Sequence, residues 1–382
     1  MVPTFRALRY PDFRYLWLGQ LAHSAAMWME QVVRPLLILE LTGSALQVGF
    51  VVATRMLPQL IFGLLAGVVA DRYDKRLVLM ASQTVTMAMH FLLAVLLLTG
   101  KIETWHVFVT AFISGGSMAF NQPTRQSMIP RIVPAEIMLN AISLNTAAMN
   151  LMRILGAGLA GVLLIFLDYG QIYLLNAVIS LYVIWTTTQI ALTEHTPAPG
   201  VIVEAGAAAK TSILHDLLEG FRYMAGNRRV FQLAGMALVL FVIGMPYQQV
   251  FVPLLALDVL QVGRSGAGWM LALIGIGSLI ASLTMASVRH LHRRGLILAG
   301  CMTTAYHSLN VSLLLEQTSL QFQGRVLSLM SLDRGFVSVG AVISGALAET
   351  LGPQFGLAII ALACIAVTLQ IYFFVPTLRK IN

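Results

Sequence analysis

Charge is scarce in this chain. Of its 382 residues only 10% are Asp, Glu, Lys or Arg and 58% are hydrophobic, with a mean hydropathy of +0.82, whereas a soluble domain carries about 25% charged residues. That excludes a water-facing surface over most of the chain. Cysteine is scarcer still. Cys301 and Cys364 each sit inside an apolar stretch with no metal-ligand spacing, so neither a disulfide framework nor a metal site is expected. No P-loop and no helical His-Glu-x-x-His occurs, and Gly275-Ile-Gly277 lacks the strand-turn-helix setting of a nucleotide site. The expectation is a chain that is not an enzyme, holds no cofactor or metal, and draws its energy from a gradient rather than from ATP.

Apolar length stands where charge does not. Crossing about 30 Å of hydrocarbon takes roughly 20 residues of helix, and stretches of that order lie near 15–39, 45–70, 77–99, 105–121, 137–167, 171–192, 230–257, 267–288, 295–315, 326–348 and 354–376. The fold class expected is therefore all-α and polytopic. The first run lacks a small-residue cleavage site and is expected to stay as span one. Lys and Arg gather in alternate connections: Arg6, Arg9 and Arg14, then Arg72, Lys75 and Arg76, then Arg125 and Arg131, then Lys210, Arg222, Arg228 and Arg229, then Arg289, Arg293 and Arg294. The intervening loops hold Lys101 and Arg264. Positive loops face the cytoplasm, which puts the N-terminus there in a multi-pass protein of the plasma (inner) membrane. A net charge of +8 spread over short loops is a topology signal, not a nucleic-acid surface.

The chain divides into a six-helix bundle over 1–192, a linker over 193–229 and a second bundle over 230–382. In the linker, Thr211 or Ser212 can cap an amphipathic helix through Ile213, Leu214, Leu217, Leu218 and Phe221. The halves repeat: Asn140-Ala-Ile-Ser-Leu144 with Gly156 and Gly161 is echoed by Arg325-Val-Leu-Ser-Leu329 with Gly340 and Gly345, the pattern of transporters built from internal repeats.

Two groups of residues carry candidate function. Gly67, Asp71, Arg72, Lys75 and Arg76 fall between two long spans. A small residue there allows close helix approach, and the charged groups can make contacts that exist in one state and break in another. The second group is ionisable or polar at membrane depth, where such groups face a cavity or a partner: Glu30 and Arg34, four apart and able to neutralise each other, with Arg55, Asn150, Arg153, Asp333 and Arg334. His90 and His307 read as core histidines. Met27, Trp28, Met29, Phe62, Met118, Phe120, Tyr247 and Phe251 could line an apolar pocket.

The Gly67–Arg76 stretch resembles the loop signature of the major facilitator superfamily, with Asp74 and Lys75 where the family usually has glycine and arginine. Phe5-Arg6-Ala-Leu-Arg-Tyr-Pro-Asp-Phe-Arg14, Glu40-Leu-Thr-Gly-Ser44 and Asn150-Leu-Met-Arg-Ile-Leu-Gly156 are similar to its enterobactin-exporter and transmembrane-secretion-effector branch. The resemblance implies a two-bundle fold, here with 10–11 segments instead of 12. It also implies a gating role for the Gly67–Arg76 motif, a small-molecule substrate, a proton gradient and membrane lipids as partners, and a monomer. Ala157 stands where proton antiporters of the superfamily commonly have a proline. The expected function is export of small amphipathic molecules, drug-like or siderophore-like, by proton-coupled alternating access. The alternatives are a lysophospholipid or other lipid transporter, and a degenerate membrane protein that transports nothing. The missing segment is expected at 295–315, whose polar run Thr303–Asn310 suits a re-entrant helix.

Overall fold

The computed structural model describes residues 3–191, 221–223, 226–287, 318 and 333–374. A 3-10 turn, Pro3–Arg9, leads to Pro11, whose fixed φ suits the first turn of a helix, and α1 spans Pro11–Thr42. Gly43 ends it at φ 64°, a left-handed conformation that favours glycine. Ser44 then caps α2, Ala45–Arg72, by accepting from the Gln47 N–H. Asp74 caps α3, Lys75–Leu98, accepting from the N–H groups of Arg76 and Leu77 at 2.8 and 3.2 Å. Three more helices, α4 (Thr104–Ile132), α5 (Met138–Phe166) and α6 (Tyr169–Thr188), complete the first bundle.

The second bundle opens with α7, Arg228–Val239, which passes into a wide π turn, Leu240–Gly244. Helix α8, Tyr247–Leu254, passes into another, Leu255–Val259. Helices α9 (Gly263–Ser287), α10 (Asp333–Leu351) and α11 (Pro353–Phe374) follow. Among the described residues every regular element is helical. Five segments are long and apolar enough to cross a membrane on length and composition alone. Helices α1 and α4 are not among them, and both bury charge, at Glu30 and Arg34 and at Arg125. On α3, Leu77, Phe91, Leu92 and Leu98 point outward, a surface suited to acyl chains.

The bundles meet along two seams, α2 on α10 and α5 on α9, and glycines make both possible. A Cβ at Gly345 would lie 2.8 Å from the Ala45 carbonyl oxygen and 3.0 Å from the Gly49 Cα; one at Gly161 would lie 2.9 Å from the Ser265 carbonyl oxygen and 3.2 Å from the Gly268 Cα. The repeat seen in the sequence thus has equivalent contacts in space. Gly156 packs on Ala25 and Trp28 of α1, and its counterpart Gly340 packs on Val242 and Pro246, at the first π turn.

Two readings change. Arg125, expected in a cytoplasmic connection, is buried inside α4 at 2% exposure; the helix runs on through Pro123 and Pro130 instead of stopping at 121. Asp71 and Arg72 belong to the last turn of α2, so the turn itself is only Tyr73 and Asp74. Beyond the described residues lie the 295–315 segment with His307 and Cys301, the Arg325–Leu329 echo, and the linker helix except Phe221–Tyr223, which are helical. Cys364, on α11, is a free thiol.

Candidate functional site

The sequence pair Glu30 and Arg34 becomes a cluster that draws on five helices. Arg34 donates from Nε to Glu30 Oε1 at 3.1 Å and also from Nη2 to the same oxygen. Its Nη1 donates to the Val107 carbonyl at 2.9 Å and to Thr110 Oγ1 at 3.0 Å, both on α4. Arg55 of α2 donates from Nη2 to Glu30 Oε2 at 2.7 Å, and His90 Nε2 of α3 lies 3.6 Å from Oε1. Tyr173 of α6 offers its ring to both Arg34 and His90, each at 6.0 Å. All these charges are buried, with Glu30 and Arg34 at 2% exposure and Arg55 at 6%. Without its partners each would be costly, and together they join α1, α2, α3 and α4 through one carboxylate. The group contains no nucleophile beside a base.

A polar strip continues from this cluster. Two adjoining narrow clefts share His23, Met27, Met118 and Asn121, and the second reaches Glu30, Arg55 and His90. Gln83 and His23 Nδ1 are 3.0 Å apart, Asn121 donates to Ser82 at 3.2 Å, and Gln20 donates to Ser24 at 2.7 Å. Arg125 donates to the Leu16 carbonyl at 3.0 Å, while its Nε and Nη2 have no acceptor. Sequence reasoning missed this strip, because small polar residues one turn apart on separate helices leave no periodic signal. Of the expected apolar pocket, Met27 and Met118 share a cleft and Phe62 and Phe120 are ring neighbours at 6.2 Å. Met29 and Phe251 are core.

At the α1–α2 end a second polar group crosses between the bundles. Arg264, at the start of α9, donates to Glu40 through Nε and Nη2 at 2.7 and 2.6 Å. It also lies 4.7 Å over the Tyr169 ring, whose hydroxyl donates to Glu40 Oε1 at 2.6 Å. Nearby, Glu349 Oε2 accepts from Ser44 Oγ and the Leu46 N–H at 3.2 Å each, tying the end of α10 to the start of α2.

The Gly67–Arg76 motif lies at the other end. Gly67, Asp71 and Arg72 are helical, and their side chains fall outside the description. Lys75 is buried, and Arg76 donates to the Thr188 carbonyl at the end of α6. The cap of α3 is Asp74, three residues beyond Asp71. Asn150 and Arg153 are half-buried on α5, and Arg153 lines a cleft between the bundles with Trp28, Ala157, Gln248, Leu271, Ile274 and Gly275. Asp333 and Arg334 are the first described residues of α10, with side chains outside the description.

Comparison with known proteins gives this geometry a context. A family model described as "transmembrane secretion effector" matches residues 2–322. Macrolide efflux protein A of Streptococcus pyogenes is 22% identical over 90% of this chain and 82% of its own. The staphyloferrin A transporter of Staphylococcus aureus (strain NCTC 8325 / PS 47) is 21% identical over 91% and 92%. Among solved structures, the nucleoside transporter NupG superposes with a TM-score of 0.72, covering 97% of this chain and 100% of that one at 13% identity. That likeness speaks for the fold alone.

Proposed function

From the premise that the chain belongs to the transmembrane secretion effector family of the major facilitator superfamily, we propose that it is a secondary active transporter exporting small amphipathic molecules by alternating access, coupled to protons. The observation that carries this reading is the construction of the interface between bundles. It consists of two glycine seams that let backbones touch and a polar latch at the α1–α2 end. Bundles joined this way can rock against each other without unfolding, because each rests on contacts that separate as a unit. The relatives named for macrolide efflux and staphyloferrin transport support export of small molecules.

In this reading the bundles are residues 1–192 and 230–382, linked through 193–229. The N-terminus faces the cytoplasm, the Glu40–Arg264 latch closes the outer end, and the Gly67–Arg76 motif gates the inner end of a monomer in the plasma (inner) membrane. Glu30 is the coupling carboxylate. Arg34, Arg55, His90 and Tyr173 face it from α1, α2, α3 and α6, so taking up a proton there loosens the hold of Arg55 and with it the α1–α2 packing.

The test is efflux from inverted vesicles with and without a proton gradient. Gradient-dependent export that disappears in Glu30→Gln supports the reading. Export that still follows the gradient in that variant moves the coupling site elsewhere, with Asp333 next in line, and no cargo movement at all rejects transport.

A further inference from the structure

The cleft between the bundles is rich in hydrogen-bond donors and poor in acids. It forms as a narrow, partly open cleft where α1, α5, α8 and α9 meet. None of its described lining residues is a carboxylate. The Trp28 Nε1–H is buried there without an acceptor, and an indole nitrogen can only donate. Arg153 adds a guanidinium, which also only donates and keeps its charge at any physiological pH. The imbalance extends into the first bundle. Arg34, Arg55 and Arg125 are buried, against Glu30 as the sole buried carboxylate among the described residues. Two of those arginines share Glu30, and Arg125 retains two nitrogens with no acceptor. Among the described residues this leaves buried cations in excess, a field that favours an incoming anion and that a low-dielectric setting sustains.

We propose that the Arg153–Trp28 cleft seats the acidic group of the cargo: a carboxylate, sulfonate or phosphate monoester carried on an apolar body. Arg153 pairs with the charge, the Trp28 indole N–H donates to one of its oxygens, and Leu271, Ile274 and Ala157 receive the apolar part. This rests on the transporter reading above and narrows its amphipathic cargo to acids over bases. Glu30 does not attract a basic cargo in this scheme, because Arg34 and Arg55 already neutralise it inside the first bundle.

Three probes with one naphthalene body separate the possibilities: 1-naphthylacetate, 1-naphthylacetamide and 1-naphthylmethylammonium. The purified full chain is melted with each, since a ligand that binds only the folded state raises the melting temperature. Naphthylacetate is expected to raise it, the amide to raise it less, and the ammonium to leave it unchanged. Trp28→Phe keeps an aromatic ring but loses the N–H and should weaken the acid about tenfold. Arg153→Gln should abolish its effect, and Arg153→Lys should restore part of it, which keeps the test valid where the glutamine variant does not fold. Glu30→Gln adds a net positive charge and should strengthen the response, the opposite of what a purely structural glutamate would do. A response to the ammonium equal to or above that of the acid, a flat response to the acid, or a full response in both Arg153 variants overturns the proposal. Proteoliposomes loaded with the same probes separate the two claims. Acid that binds but is never moved by a gradient removes the transport reading and leaves the seat, whereas export of the ammonium without acid binding removes the seat and leaves transport.

Discussion

Arg264 holds Glu40 with two parallel hydrogen bonds of 2.7 and 2.6 Å across 224 residues of chain, and the pair is the main charged link between the bundles at the α1–α2 end among the described residues. The glutamate bond raises the Arg264 pKa above its ordinary value, so the arginine stays charged throughout the physiological range. Both side chains keep partial access to water, at 39% and 30%, so the pair is a closure device of modest strength, not a permanent weld. Arg264→Ala should shift the bundles toward opening at this end by about 1 kcal/mol, roughly a fivefold change in population. Thiol labelling of a cysteine placed at Ser44 would read the change. Glu40→Arg combined with Arg264→Glu should return labelling to the parental rate; a swap that behaves like the single variants would mean that packing, not charge, closes this end.

The glycine seams make a sharper prediction. Gly161→Val and Gly345→Val each place side-chain atoms against backbone of the opposite bundle, where nothing flexible can give way. Both should suppress export while membrane insertion stays normal. Gly63→Ala serves as control, because a Cβ there meets nothing within 4 Å, and its export should match the parent.

Removing one member of the buried cluster should cost more than removing its charge and its counter-charge together. Glu30→Ala leaves Arg34 and Arg55 buried without their carboxylate and should destabilise the protein by about 3–5 kcal/mol. Glu30→Leu combined with Arg55→Leu should recover a good part of that in thermal unfolding. Equal losses in the single and double variants would show that Glu30 and Arg55 are not energetically coupled.

At the opposite end, capping and gating can be separated. Asp74→Ala removes the acceptor for two N–H groups of α3 and should cost about 1 kcal/mol of stability with export largely retained. Asp71→Asn should do the reverse, slowing export severely at normal expression. Near-parental export in Asp71→Asn would remove that residue from the gate.

Much of this is legible in the sequence because it follows helical periodicity. Glu30 and Arg34 are four apart, so their pairing is nearly dictated by α-helix geometry, and the Gly156–Gly340 and Gly161–Gly345 correspondences reflect a repeated contact. What is not legible depends on contacts between helices. Arg55 reaches Glu30 from a separate helix, and nothing in the spacing of the two announces it. Arg125 escapes its expected place because the apolar run stops near 121, yet α4 continues through Pro123 and Pro130 to Ile132. Glu40 belongs to a motif noticeable for its resemblance; its partner Arg264 is one basic residue in an otherwise neutral loop, and only the packing of α5 on α9 brings them together. The Arg153–Trp28 cleft is visible in the sequence as two separate residues and becomes one site where α1 and α5 cross at Gly156.

The two wide turns, Leu240–Gly244 and Leu255–Val259, give the seventh crossing something its neighbours lack: spare length. Each holds a residue more than the regular spiral needs, and such a ruck can travel along a helix by exchanging one carbonyl partner for the next. They bracket Pro246 and Pro253, two points where the spiral is already missing a donor. The first bundle is cross-braced through Glu30, whereas this segment carries both π turns. In the alternating-access reading proposed above, a stroke would be taken up within this single helix and would re-aim Tyr247 and Gln248, the latter beside the cleft.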